Sequence, residues 1–261
     1  GRDQIICPQP TLLFWRFTQG LYYSIQHVAG FPTAFGSSFQ AYVGEVLSVR
    51  IEREPLSVIP EAEYLVGRNR KDTVDWVVCE SHSAALFVEC KTMRLTWNSK
   101  AGLTDLVALE QDIRKLAGAV VQPYKWVLDY QADRYPHLPF DPRREIYPVI
   151  VTLEDWLLFG HDLPTRLAAE VRAKLLTADM DANLVDRMPV TIMSVDELET
   201  AAGVINAAGI RSVMAEKVAE GGFQNWSMDT YLMNRFSDER QALGPPFPDG
   251  FAAAFGGVPG H

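Results

Sequence analysis

The chain has 261 residues, 48% of them hydrophobic, and a formal net charge of −9. Such a length and composition suit one large domain, or a domain with an appended lobe, and exclude disorder as the default. No apolar run approaches a membrane span, and the acidic balance excludes a uniformly basic nucleic-acid coat.

The opening GRDQIICPQP lacks Met and has no signal-peptide layout, which leaves two readings of the start, a cloning scar at Gly1 or a fragment of a longer protein. The three cysteines, Cys7, Cys79 and Cys90, show neither disulfide arithmetic nor zinc spacing, which makes a reducing cytoplasm the expected location. Residues 1–34 form an aromatic segment, helical over 11–30 and broken at Phe31-Pro32. A second helix follows in FGSSFQAYVGEVLSV, capped by Ser37 or Ser38, with Phe39, Tyr42, Val43, Val46 and Leu47 on one stripe. AEYLVG, TVDWVVC and AALFVECK read as three strands of a meander. A helix runs from Leu103 to Val121 and stops before Pro123, and IYPVIVTL is a further strand. Residues 164–178 are helical, PVTIMSV is a strand, Ser194 or Asp196 caps DELETAAGVI, and another helix covers 208–220. This divides the chain into an α/β core over 35–200, C-terminal helices over 201–243 and a Gly/Pro-rich tail over 244–261.

The chemistry gathers at ALFVECKTM. Residues two apart in a strand share a face, so Glu89 and Lys91 point with Phe87 and Ala85, opposite Leu86, Val88 and Cys90. Folding the two apolar strands about a three-residue loop, Ser81–Ser83, pairs Cys79 with Ala85, Trp76 with Val88, Val77 with Phe87, and Val78 with Leu86. The next pair outward is Asp75 and Glu89. Like charges directly opposite destabilise a sheet. A divalent cation between them removes the conflict, and hard carboxylate oxygens suit Mg²⁺ or Mn²⁺. The structural alternative makes Asp75 and Glu89 exposed strand ends, with Lys91 as a screening partner of little energetic weight.

An Asp on one strand, then Glu-x-Lys on the next after a hairpin, preceded by a helix, resembles the PD-(D/E)XK nuclease superfamily. It is the only Asp/Glu-x-Lys in the chain. The resemblance covers roughly residues 35–125, and Val74 stands where the family usually has Pro. It implies a restriction-endonuclease-like αβββαβ core with a mixed central sheet, extended by C-terminal α/β elements. It also implies Asp75, Glu89 and the Cys90 main-chain carbonyl as ligands of Mg²⁺ or Mn²⁺, with Lys91 acting on the attacking water. The family often adds an acidic residue from the first helix. Gln40 and Glu45 are the two candidates, about 140° apart around the helix, with Gln40 favoured by its place beside the apolar stripe. Gln111, or Gln122 with Tyr124, would supply the later polar positions of some members.

The implied activity is hydrolysis of phosphodiester bonds in nucleic acid, DNA above all, as in restriction or defence against phage. Charge placement agrees. Residues 1–150 hold 16 Lys and Arg against 17 Asp and Glu, a net of −1, and residues 151–261 hold 8 against 16, a net of −8. Arg68, Arg70 and Lys71, together with Arg114 and Lys115, are the expected docking groups for the polyanion, with Arg143 and Arg144 a third basic cluster. The alternative is an inactive module of the same fold that binds nucleic acid or protein. A homodimer, or association with other domains of a longer protein, is the expected assembly.

Overall fold

The computed structural model describes residue 22 and residues 25–95, 106–156 and 162–247. Most of the aromatic N-terminal helix expected over 11–30 lies outside these residues. Tyr22 does not, and its ring packs 5.9 Å from Phe31 and 5.2 Å from Phe35.

Helix α1 (Phe31–Arg50) buries the expected stripe of Phe39, Val43, Val46 and Leu47. It starts at Phe31, six residues before the expected Ser37 cap. Pro32 begins the helix instead of breaking it, because first-turn N–H groups have no intrahelical acceptor to lose.

The strands are β1 (Leu56–Pro60), β2 (Glu63–Val66), β3 (Asn69–Asp72), β4 (Trp76–Glu80), β5 (Ser83–Lys91), β6 (Tyr147–Thr152) and β7 (Thr191–Ser194). Five form a mixed sheet in the order β1-β4-β5-β6-β7, antiparallel from β1 to β5 and parallel from β5 to β7. The protein is therefore α/β, with helices on both faces of the sheet. The first strand of the meander is Leu56–Pro60, not AEYLVG; the latter supplies β2, which pairs with β3 in a separate hairpin. LSVIP is short and bounded by Pro55 and Pro60. An edge strand tolerates such prolines, so the pattern that hides it from a sequence reading does not prevent its pairing.

The β4–β5 hairpin pairs Trp76 with Val88, Val77 with Phe87 and Val78 with Leu86, as expected. Its turn is shorter than expected. Ser81 and His82 alone form it, both at positive φ (51° and 70°), as a two-residue turn of the twist-matching type requires. Cys79 then faces Ala84, and the register shift leaves Ala85 as the extra residue of a β-bulge. The bulge turns Ala85 onto the face of Leu86 and Val88, whereas Ala84 joins Phe87. Ala85 thus leaves the face that the strict alternation assigned to it.

Helix α2 (Leu106–Gln131) connects β5 to β6 and continues past Pro123, ten residues beyond its expected end at Val121. Proline removes one hydrogen bond there, but Tyr124, Val127 and Tyr130 beyond it are fully buried, and that packing outweighs the loss. Helix α3 (Asp162–Thr177) and the short α4 (Leu184–Arg187) connect β6 to β7. Helices α2 and α3 cover one face of the sheet, through Leu116, Val120, Val171 and Leu175 against Ile150 and through Val127 and Tyr130 against Val77 and Phe87.

The other face carries α1 together with α5 (Val195–Ala208), α6 (Ile210–Val218), α7 (Met228–Arg235) and α8 (Ser237–Ala242). Ser194 is the cap of α5, in a reciprocal capping box with Glu197. Tyr42 on α1 donates to Glu199 on α5 at 2.6 Å, and Arg53 donates to the Ala207 carbonyl at 2.8 Å. The helices of 201–243 therefore share one hydrophobic core with α1 and the sheet. Residues 244–247 of the tail carry no helix or strand, and the rest lies outside the described residues.

Candidate active site

Helix α1 is seated on the sheet by a close approach that only glycine permits. A Cβ at Gly44 would lie 2.0 Å from a ring carbon of Trp76, and the Trp76 indole N–H donates to the Gln40 carbonyl at 3.0 Å. Trp76 is the first residue of β4, so this joint ties the middle of α1 to the end of the hairpin where Asp75 stands.

There Asp75, in the bend immediately before β4, comes beside Glu89 of β5, close enough for its charge to act on the Glu89 carboxyl. Asp75 Oδ2 also accepts the Cys90 N–H at 2.7 Å, and Lys91 Nζ donates to Glu89 Oε1 at 2.5 Å. Glu89 is buried, with 4% of its surface exposed, and Lys91 is half-buried. The carboxylates are therefore not exposed strand ends. Burial, then the Asp75 charge, pushes Glu89 up to about 7 against the pull of Lys91. Burial also raises Asp75, opposed by the Cys90 N–H and the Lys91 charge. Two carboxyls crowded in a poorly solvated place resist being ionised together, and positive charge beside them relieves that resistance.

A strand residue sends its N–H and C=O toward the same neighbouring strand. The Cys90 N–H points at Asp75, so the Cys90 carbonyl faces that side as well. Two carboxylates and a main-chain carbonyl form an all-oxygen donor set that fits a hard divalent cation. Among the described residues, no three His, Cys, Asp or Glu side chains are grouped to hold a metal, so the carbonyl and waters would complete the coordination.

A comparison with family models, curated proteins and solved structures finds no match to this chain.

Of the two helix candidates, Gln40 is the one brought to this end of the sheet. Its amide donates to Glu61 Oε2 at 3.3 Å, whereas Glu45 is exposed. Glu61 itself escaped the sequence reading. It follows Pro60 at the end of β1, and its N–H donates to the Asp75 carbonyl at 2.8 Å, one strand further out from Glu89. Burial raises its pKa, the Gln40 hydrogen bond opposes this, and the Asp75 charge adds to it. Recognising LSVIP as a strand would have found it by register. Gln111 and Gln122 are exposed on α2, and Tyr124 is buried with its hydroxyl on the Met188 carbonyl. None of the three joins the site.

The basic groups are more committed than their sequence suggests. Lys71 donates to the buried Asp129 at 2.7 Å, beside Tyr64 and Arg134, so it pins the β2–β3 hairpin to the end of α2. The next residue, Tyr130, accepts from Ala84 N–H, five residues before Glu89 and so on the order of 16 Å along the strand. Arg70 pairs with Glu63 at 3.4 Å and Arg68 is exposed at the hairpin turn. Arg114 lies 3.8 Å from Glu110 and 3.7 Å from Glu170, and Lys115 lies 3.5 Å from Asp112. The Arg70 and Arg114 pairs are exposed, weak and exchange readily for phosphate, whereas Lys115 is paired with the buried Asp112 and the Lys71 tie is structural. Arg143 and Arg144 pair with Asp141 and Glu80.

Asp75 separates two roles by substitution. Asp75→Asn keeps an oxygen for the Cys90 N–H and removes the charge conflict, so its melting temperature in EDTA should equal or slightly exceed that of wild type. Asp75→Ala orphans that N–H and should cost about 1–3 kcal/mol. Both should lose most of the stabilisation that added Mn²⁺ confers on wild type. A normal Mn²⁺ response in Asp75→Asn would put the metal elsewhere.

Proposed function

We propose that the protein is a metal-dependent nuclease of the PD-(D/E)XK type, with a restriction-endonuclease-like core, that hydrolyses phosphodiester bonds in DNA. The observation that carries this reading is the buried Glu89 beside the half-buried Asp75, with one ammonium among the described residues bonded to the pair. Such a pair costs stability in the free protein, and a fold that needed only packing would gain from apolar residues there. The order of α1, three antiparallel strands, α2 and the parallel β6 also supports it.

When bound, Mg²⁺ or Mn²⁺ at Asp75, Glu89 and the Cys90 carbonyl would supply charge that acidifies a water and offsets the charge developing on phosphate. The Cys90 N–H fixes the Asp75 carboxylate, so one of its oxygens is oriented before any ligand arrives. Lys91 has three N–H donors and spends one on Glu89, which leaves two to orient a water and a phosphate oxygen. Gln40 holds Glu61 at the rim, where it places a further carboxylate near the incoming strand.

The deciding experiment is a cleavage panel of single- and double-stranded DNA and RNA with Mg²⁺, Mn²⁺ or EDTA. Metal-dependent cleavage of DNA is expected. Tight binding without cleavage under every metal would favour the binding module instead. With Ca²⁺ to suppress turnover, log affinity should fall linearly with log salt as phosphate contacts release counterions. Reversing Arg68 and Arg70 should flatten that slope without unfolding the protein, because neither is buried. An unchanged slope would place the docking surface elsewhere.

A further inference from the structure

The edge pair β1–β4 does not end at the carboxylates. Glu61 N–H donates to the Asp75 carbonyl at 2.8 Å, and Thr73 N–H donates to the Ala62 carbonyl at 3.0 Å, so pairing continues outward into β2 and β3. The register slips by one between those two bonds, which leaves Val74 as the extra residue of a bulge. The β2–β3 hairpin is thus a two-stranded ribbon that carries the edge pair on beyond Asp75.

Its two faces differ. Tyr64 lies opposite Lys71, and the Tyr64 hydroxyl and Lys71 Nζ each donate to Asp129 at 2.7 Å. The Trp126 indole N–H donates to the Asp72 carbonyl at 3.0 Å. These bonds fix the ribbon to α2, so little ordering is left to be lost on binding. Leu65 lies opposite Arg70 on the outer face, where Leu65 is 61% exposed and the Arg70 side chain 76%. Glu63 and Asp72 share that face at the ribbon's base, whereas Arg68 stands in the turn. The outer face therefore runs from acidic beside the Asp75–Glu89 centre to basic at the tip. The 3.4 Å pair of Arg70 with Glu63 is exposed and easily given up.

Two paired strands are about 4.8 Å apart. With its side chains such a ribbon fits the major groove of B-DNA, about 12 Å wide, and is too broad for the minor groove, about 6 Å wide. Arg68 is seven residues from Asp75. That is on the order of 20 Å at strand spacing, or about six base-pair steps of about 3.4 Å.

We propose that the β2–β3 ribbon lies in the major groove of a DNA duplex held at the Asp75–Glu89 centre, where Leu65 meets a thymine methyl, Arg70 meets guanine O6 and N7, and Arg68 takes a phosphate. An apolar side chain suits the thymine methyl, and arginine is the commonest specific partner of guanine. Leu65 and Arg70 then set sequence preference several base pairs from the bond that is cut. The position of the duplex at this centre rests on the nuclease reading; base reading by the ribbon does not.

Selection of bound duplexes from a random DNA pool, with Ca²⁺ to suppress turnover, reads the ribbon without cleavage. Wild type should enrich a short element that contains a G·C and an A·T pair. In the enriched duplex, 7-deazaguanine removes N7 and should weaken binding roughly fivefold. Uracil in place of thymine removes the methyl and should weaken it roughly threefold. The first effect should vanish in Arg70→Ala and the second in Leu65→Ala, with melting temperatures unchanged because neither side chain is buried. Inosine in place of guanine removes only a minor-groove amine and should leave binding unaltered. Sensitivity to inosine, absence of enrichment, or base effects that persist in the variants overturn the ribbon's role. Binding to single strands as tight as to the enriched duplex overturns it too. Enrichment with both base effects but no cleavage under any metal would sink the nuclease reading and leave the ribbon standing. Metal-dependent cleavage without those effects would do the reverse.

Discussion

Lys91→Ala should lose roughly 10²–10⁴ of its cleavage rate while Mn²⁺ still binds, the range expected when a group that moves or orients a proton is removed. The ammonium is half-buried and already bonded to Glu89, so on the proposed nuclease reading it would orient the attacking water without being a metal ligand. Its removal also takes from the carboxyl pair the one cation bonded to it among the described residues, and the metal-free variant should melt below wild type as a result. Added Mn²⁺ supplies positive charge to the same oxygens and should restore most of the lost melting temperature. Calorimetry with Mn²⁺, melting with and without EDTA, and a nicking assay separate these effects. Cleavage at the wild-type rate would exclude Lys91 from the chemistry. Loss of Mn²⁺ binding in a folded variant would make Lys91 a structural partner that shapes the ligands.

Gly44→Ala should be strongly destabilising although alanine is the better helix former. Helix propensity favours the substitution by about 1 kcal/mol. The new methyl, however, would lie 2.0, 2.4 and 2.6 Å from three carbons of the Trp76 ring, too near for any real Cβ. Trp76 cannot swing away freely because its N–H is bonded to the Gln40 carbonyl. Overpacking of this kind costs about 1–3 kcal/mol or more, so sterics win. Relief requires α1 to move off the sheet, which carries Gln40 away from Glu61 and should lower any activity further. Trp76→Phe removes the indole ring system from that place, so Gly44→Ala should cost less in its background, and a double-mutant cycle measures the coupling. A neutral or stabilising Gly44→Ala would mean the joint is loose.

Much of the candidate site could be read from the chain because it rests on local rules. The period of two places Glu89 and Lys91 on one face, and matching apolar residues across the hairpin sets Asp75 opposite Glu89 without any tertiary information. The stripe of α1, the strand Tyr147–Thr152 and the Ser194 cap follow equally from periodicity and capping chemistry. Other features needed neighbours. LSVIP becomes a strand only because β4 offers it an edge, and Glu61 enters the site only through that pairing. Helix α2 continues past Pro123 because Tyr124, Val127 and Tyr130 find a core, a gain no local propensity contains. The bulge at Ala85 reconciles a two-residue turn with an apolar register set further along, and each is satisfied only once both strands are in place. The seating of Trp76 on Gly44 and the ties of Tyr64 and Lys71 to Asp129 join residues far apart in the chain. Local periodicity thus determined which carboxylates face each other, whereas burial, which sums contributions from distant segments, decided how deeply they are held and what lies beside them.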